Sequence, residues 1–351
     1  MSLRIGITVG DINGIGPEII IKTLSEENLL KRITPIIYGS SKTLGYHKNI
    51  VKNNRFNFVN IDGAEHAKEG KVNVISAWQE AVNINIGEAT KESGQSAYIA
   101  LDRAMNDLNT GLIDAMVTAP INKAAMKMAD FPYLGHTEYI TNASNSEDSL
   151  MLLTSEQLTV GLVTAHIPLE EVTAEITADV VLDKLEILDQ TLKIDFGKER
   201  PIIAVLGLNP HAGDSGQIGT NEETDIIPAI LAAKENGMMV AGPFSADGFF
   251  GNGSYKKFDA ILAMYHDQGL IPFKALSFGT GVNFTAGLEI IRTSPDHGTA
   301  YEIAGKNQAD PSSMRQAIYK AIDIATNRKT HEEISSNSLD VVVEHKEEEA
   351  D

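Results

Sequence analysis

Apolar residues in this chain gather into short runs that break sharply at polar or glycine-rich segments, and these runs alternate with stretches of helical periodicity. Residues 4–10 read as a first strand. A glycine turn follows, Gly10-Asp11-Ile12-Asn13-Gly14-Ile15-Gly16, then a helix starting near Pro17, a favoured early helical position. Residues 34–40 give a second strand, and Val72-Asn73-Val74-Ile75 a short one inside the mixed, polar stretch 48–90. Between 93 and 109, Ala97, Ala100, Leu101, Ala104 and Leu108 share one helical face. Residues 114–118 form a buried strand stopped by Pro120, with Lys123 just beyond it. Further apolar strands are expected at 158–165, 201–208 and 260–264, and helices at 175–193 and 311–326. Thr137 is a plausible cap for a helix opening near 135. This alternation predicts an α/β fold with a mostly parallel, doubly wound sheet. Beyond Arg328 the chain is acidic and polar, a solvated extension in which 339–343 is the one strand candidate.

The chain has 351 residues, 42% hydrophobic and 22% charged, enough for two domains or one large one with a real core. A net charge of −19 argues against nucleic acid as a partner, since neutralising phosphates needs a basic face. An anionic substrate must therefore be drawn in by a local cluster. With no cysteine there is no thiolate ligand or cysteine nucleophile. The absence of an 18-residue apolar run and of a long apolar segment at residue 1 predicts a cytoplasmic protein with no membrane partner.

Three apolar strands end in histidine: His166 in Ala-His-Ile-Pro, His211 in Asn-Pro-His-Ala-Gly and His266 in Tyr-His-Asp-Gln-Gly. Any one of them alone reads as a structural residue. Together they suit a divalent transition metal, whose catalytic sites take three protein ligands and leave one position open. Asp247 and Asp267 are acid/base candidates, or turn caps. A second group, His136, Thr137, Lys274, Asn283 and Arg292, suits an anion such as phosphate. The loop at 10–18 either presents backbone N–H groups to an anion or is a tight strand-to-helix turn. The G-x-G-x-x-G fingerprint is absent, which excludes a standard Rossmann domain.

The motifs at 10–18, 118–123, 135–138, 208–213, 265–274, 282–285 and 292–306, in this order, resemble the 4-hydroxythreonine-4-phosphate dehydrogenase (PdxA) family over nearly the whole chain. The segment from Asp296-His297-Gly298 to Gly305-Lys306 is also similar to the nucleotide-binding segment of isopropylmalate and isocitrate dehydrogenases. The resemblance implies a two-domain isocitrate/isopropylmalate dehydrogenase-like fold. Residues 1–125 plus 275–328 would form the dinucleotide-side domain and 126–274 the metal and dimer side, with 329–351 a flexible acidic tail. It implies NAD or NADP, bound through Asp296, His297, Gly298 and Gly305, and a divalent metal (zinc, cobalt, manganese or magnesium) on His166, His211 and His266. The site would be shared across a homodimer interface, His266 completing a centre begun by His166 and His211 of the other subunit. Substrate contacts would fall on His136, Thr137, Lys274, Asn283 and Arg292. The implied reaction is oxidation of 4-phosphooxy-L-threonine followed by decarboxylation. The alternatives are a related dehydrogenase acting on another phosphorylated hydroxy acid (4-phospho-threonate or -erythronate), or a metal-dependent hydrolase or lyase. Two positions depart from the family pattern: Ile12 replaces a proline, and Glu289 follows Gly287-Leu288, setting a carboxylate close in sequence to Arg292.

Overall fold

Twelve strands form one sheet among the residues that the computed structural model describes, 2–337 apart from Leu134, Asn145, Glu147 and Phe278. They are β1 (Leu3–Thr8), β2 (Ile33–Gly39), β3 (Phe58–Ile61), β4 (Val72–Ser76), β5 (Ala115–Thr118) and β6 (Leu150–Thr154). The remaining six are β7 (Thr159–Leu162), β8 (Ile202–Leu206), β9 (Met239–Phe244), β10 (Ala260–Ala263), β11 (Val282–Ala286) and β12 (Arg292–Pro295). Their spatial order is β3-β4-β2-β1-β5-β12-β11-β6-β7-β10-β8-β9. Pairing is parallel except along β12-β11-β6-β7, where each neighbour runs antiparallel. That antiparallel centre joins two parallel wings, so the mostly parallel α/β reading holds.

The strands that periodicity predicted are present because their side chains are buried on both faces, as in Ile203, Ala204, Val205 and Leu206 of β8. Helices pack on the sheet through the expected stripes. The helix Lys91–Asn109 buries Ala97, Ala100, Leu101, Ala104 and Leu108 and is opened by Thr90, which accepts from the Ser93 N–H. Several elements differ from expectation. The helix Ser312–Ser336 runs ten residues past 326, because its last turns are solvent-exposed and carry no apolar stripe to mark them. The strand candidate at 339–343 and most of the acidic tail lie outside the described residues. Thr137 is not a cap: the helix His136–Ala143 starts one residue earlier, on Gly135.

The loop at 10–18 serves as a structural turn through several of its backbone N–H groups: Asp11 donates to the Pro120 carbonyl, Asn13 to the Asp11 carboxylate, and Ile15 to the Thr299 carbonyl. Gly10 sits at φ 67°, and a Cβ there would stand 2.4 Å from the Pro120 oxygen, so only glycine fits.

Candidate functional site

A cleft of about 480 Å³ opens over one face of the antiparallel centre. Its floor alternates along three strands, as a pleat requires: Met151 and Leu153 of β6, Asn283 of β11, Arg292 and Ser294 of β12. Register aligns Leu153, Asn283 and Ser294 directly across the sheet. The walls come from residues just past β5 (Pro120, Lys123), the turn at 135–138, His166 after β7, the helix His266–Ser277, and Asp296, His297 and Gly298 after β12. Residues past the strand ends supply the walls, and the floor is made by strand residues, with Arg292 at the start of β12.

Arg292 is 2% exposed, with no carboxylate bonded to it. Its Nε and Nη2 donate to the Thr118 hydroxyl at 3.1 and 2.8 Å, and Nη1 to the Thr285 hydroxyl at 3.3 Å. Burial lowers its pKa from 12.5 to about 10, and the Glu138 charge opposes that only in part. A buried guanidinium with neutral partners is a site prepared for an anion. Lys123 and Lys274 line the same space. His136 is held neutral, its pKa pushed well below the ordinary value by burial and by Arg292. His136 Nε2, Asn283 Oδ1 and His297 Nε2 are buried polar atoms with no hydrogen-bond partner among the described residues. Three such atoms around one cleft mark positions for ligand groups. Glu289 does not disturb this arrangement: it lines a different surface hollow with Arg328 and His331, and its carbonyl accepts from Arg328.

Beside this group stand His166 and His266, their ring centroids 5.9 Å apart and tilted by 42°. Each ring has a carboxylate at Nδ1: Glu138 Oε1 lies 3.7 Å from His166, and Asp267 Oδ1 2.8 Å from His266. The His166 contact, more than any other cause, holds the Glu138 carboxyl below its ordinary pKa. A carboxylate at Nδ1 leaves Nε2 as the ring nitrogen free to bind a metal. The pair therefore fits a divalent cation, but incompletely. Among the described residues no three metal-binding side chains of one chain converge.

Within one chain the structure brings His166 together with His266, where the expected grouping set His166 with His211. His166 and His266 come together because β7 and β10 are parallel neighbours. His211 lies past β8 on an exposed turn, where its charge acts on Asp247. Asp247 is exposed. The Ser245 hydroxyl, the Gly248 N–H and His211 hold its carboxyl below the usual range.

Asp296, His297 and Gly298 reach the cleft, whereas Gly305 lies on the far side of their loop, against helix Gly16–Thr23. Burial raises the pKa of Asp296, partly countered by the Ser313 hydroxyl. That loop is held by the turn at 10–18: the Tyr301 hydroxyl donates to Asp11 Oδ2 at 2.6 Å, and the Gly305 and Asn307 N–H groups donate to the buried Glu18. Thr118, Lys123, Glu138 and Ser294 were not among the sequence candidates. All four lie inside the motifs at 118–123, 135–138 and 292–306, so their signal in the sequence is position alone. A second hollow of about 530 Å³ by Lys320 lacks these features: none of the orphaned polar atoms lines it, and its Asp195 and Asp259 are already paired with Arg328 and Lys198.

The sequence profile of the family described as pyridoxal phosphate biosynthetic protein PdxA matches residues 31–321. A 4-hydroxythreonine-4-phosphate dehydrogenase from Bacteroides thetaiotaomicron is 48% identical over 338 residues, covering 96% of this chain and 93% of its own. A relative from Oceanobacillus iheyensis with the provisional name D-threonate 4-phosphate dehydrogenase is 40% identical, covering 92% and 97%. The crystal structure of a 4-hydroxythreonine-4-phosphate dehydrogenase from Klebsiella pneumoniae superposes with a TM-score of 0.81 at 37% identity, covering 93% of this chain and 98% of that one. Isocitrate dehydrogenase from Methylococcus capsulatus, 12% identical with a TM-score of 0.50, covers 95% and 89% and shares the fold alone.

Proposed function

Because the chain belongs to the pyridoxal phosphate biosynthetic protein PdxA family, we propose that it is a dehydrogenase of 4-phosphooxy-L-threonine. It oxidises the C3 hydroxyl with NAD or NADP as hydride acceptor and with a bound divalent cation. The product, 2-amino-3-oxo-4-phosphooxybutanoate, loses carbon dioxide to give 3-amino-2-oxopropyl phosphate. The observation that carries this reading is the unpaired, buried Arg292 with Lys123 and Lys274 around a cleft that also holds the orphaned polar atoms of His136 and Asn283.

Arg292, Lys123 and Lys274 take the phosphate, Arg292 through its planar fork. His136 Nε2, the Thr137 hydroxyl and Asn283 Oδ1 orient the rest of the small molecule. Asp296, His297 and Gly298 border the dinucleotide side, and Gly305 lets that loop turn at φ 74°. His166 and His266 of one copy and His211 of a second would hold the cation (zinc, cobalt, manganese or magnesium), which would supply Lewis-acid polarisation of a hydroxyl when bound. Asp267 is taken up in orienting His266 and acts through it. Asp247 comes with His211 and is the carboxylate left free to move a proton.

The homodimer is supported by the surroundings of the histidine pair. Leu169 is 72% exposed and Ile271 66% exposed, and a hollow of about 370 Å³ beside His166 and His266 is lined by Ile167, Leu169, Val172 and Tyr265. Among the described residues no helix is long and apolar enough to cross a membrane.

The test follows absorbance at 340 nm with each dinucleotide and a panel of 4-phosphooxy-L-threonine, 4-phospho-threonate and 4-phospho-erythronate. The relative from Oceanobacillus iheyensis makes the threonate comparison the decisive one. Turnover of hydroxythreonine phosphate above the other two is expected, and no absorbance change with any of them overturns the reading. The shared site has its own test: mixing two inactive proteins, His211→Ala and His166→Ala, should restore about a quarter of wild-type activity after subunit exchange, since half the dimers then carry one intact site.

A further inference from the structure

The turn that carries His211 has an unusual backbone. Six consecutive residues lie in the left-handed region: His211 (φ 54°), Ala212 (51°), Gly213 (81°), Asp214 (44°), Ser215 (55°) and Gly216 (81°). Left-handed conformation is normally visited by single residues, mostly glycine, because Cβ crowds the neighbouring carbonyl. Four of these six carry a Cβ, so something outside the turn must hold it.

The element that holds it is Glu222. It opens the π-helical turn Glu222–Ile226, is only 2% exposed, and accepts two hydrogen bonds from one residue at the root of the loop. The Asn209 backbone N–H reaches Oε1 at 2.7 Å, and the Asn209 Nδ2 reaches Oε2 at 3.0 Å. The carboxylate lies flat against the turn: a Cβ at Gly213 would stand 2.6 Å from Glu222 Oε2, and one at Gly207 would stand 3.1 Å from Oε1. Gly219 closes on the other side of Asn209, where a Cβ would come within 2.5 Å of Nδ2. The root of the turn is also tied to the second histidine segment, since the Gln268 side chain donates to the Gly207 carbonyl and accepts from the Met264 N–H.

We propose that Glu222 is a positioning residue that clamps Asn209 and so fixes the left-handed turn in the one shape that presents His211 to the second copy of the chain. It touches neither substrate nor cation; it acts through His211. Among the described residues the buried Glu222 side chain bonds only to Asn209, so its role is the geometry it imposes on the root of the turn. The inference rests on the metal reading above, and the experiment separates the two.

Affinity for zinc is measured on the dimer by competition with a chromophoric chelator, together with thermal stability, for wild type, His211→Ala, Glu222→Gln, Ala212→Gly and the double variant Asn209→Asp/Glu222→Gln. Glu222→Gln leaves a single acceptor for the two Asn209 donors and should weaken zinc binding by roughly 10-fold, the low end of the range for groups that orient a ligand. The double variant restores a donor facing an acceptor, and should recover most of that loss. Ala212→Gly keeps every hydrogen bond while loosening the backbone, so it should weaken zinc several-fold with no fall in melting temperature. If Glu222→Gln does not fold, the Ala212→Gly and double variants still decide. Wild-type zinc affinity in Glu222→Gln and Ala212→Gly, alongside lost affinity in His211→Ala, overturns the role of Glu222. Unchanged affinity in His211→Ala overturns instead the metal reading on which it stands.

Discussion

Replacing Arg292 by methionine separates a charge kept for a ligand from a charge kept for the fold. The guanidinium is 2% exposed and its pKa falls from 12.5 to about 10 through burial. That difference corresponds to about 3 kcal/mol against the charged form, fully present at neutral pH, where the group is protonated in both folded and unfolded chains. Methionine of similar length removes that penalty. It also leaves the Thr118 and Thr285 hydroxyls without their donors, a loss of about 1 kcal/mol each. The ligand-free variant should therefore be within about 1 kcal/mol of wild type or slightly more stable, as for buried ionic groups replaced by apolar ones. Binding should show the opposite. Two charge-assisted hydrogen bonds to an oxyanion are worth about 3–6 kcal/mol, so affinity for phosphate compounds should fall at least about 100-fold. Urea unfolding of the ligand-free protein gives the first quantity, and the thermal shift produced by inorganic phosphate the second. A variant destabilised by more than about 3 kcal/mol that keeps the wild-type phosphate shift would refute the reasoning, because Arg292 would then be a structural cation.

Thr118→Val should destabilise the protein by about 1–3 kcal/mol in urea, since it removes the acceptor of two Arg292 donors and leaves them buried. His47 is fully buried, its Nε2 lies 2.8 Å from the Ile12 carbonyl, and burial pushes its pKa down to about 4. The unfolded chain binds more protons between pH 6.5 and 4, so stability falls as pH drops through that window. His47 should account for about 2 kcal/mol of the loss from pH 7 to pH 5, the buried His136 adding to the same fall, and His47→Gln should remove the His47 share in urea titrations at the two pH values. Tyr301→Phe removes the bond to Asp11 that anchors the loop at 296–307. It should raise KM for the dinucleotide several-fold while leaving KM for the phosphorylated substrate near wild type; equal changes in both would mean the loop serves the whole cleft.

The legibility of this chain tracks where its apolar residues are. Strands β1, β2 and β8 of the parallel wings announce themselves because Ile5, Ile7, Ile36, Ile37, Val205, Leu206 and their neighbours are buried by hydrophobicity alone, whereas the edge strands β3 and β9 are more polar and exposed and were not expected. Two strands of the antiparallel centre, β11 and β12, do not announce themselves either. β12 reads Arg-Thr-Ser-Pro, fully buried yet without one Val, Ile or Leu, and β11 interleaves Val282, Phe284 and Ala286 with Asn283 and Thr285. Polarity at those positions is what the site needs, so the features that make the cleft functional are the ones that hide its strands from a hydrophobic pattern. The site residues were still nameable, because His166, His266, Lys274 and Arg292 stand beside recognisable breaks. Their partners were not: Thr118 meets Arg292 across 174 residues, and Glu138 meets His166 only through the sheet order. The order of β7, β10 and β8 also decides which histidines share a chain's cleft, and no spacing in the sequence encodes that order. A chain of net charge −19 thus concentrates Lys123, Lys274 and Arg292 around one space. Attraction for an anion is then short-range, so binding should depend on buried hydrogen-bond geometry far more than on ionic strength.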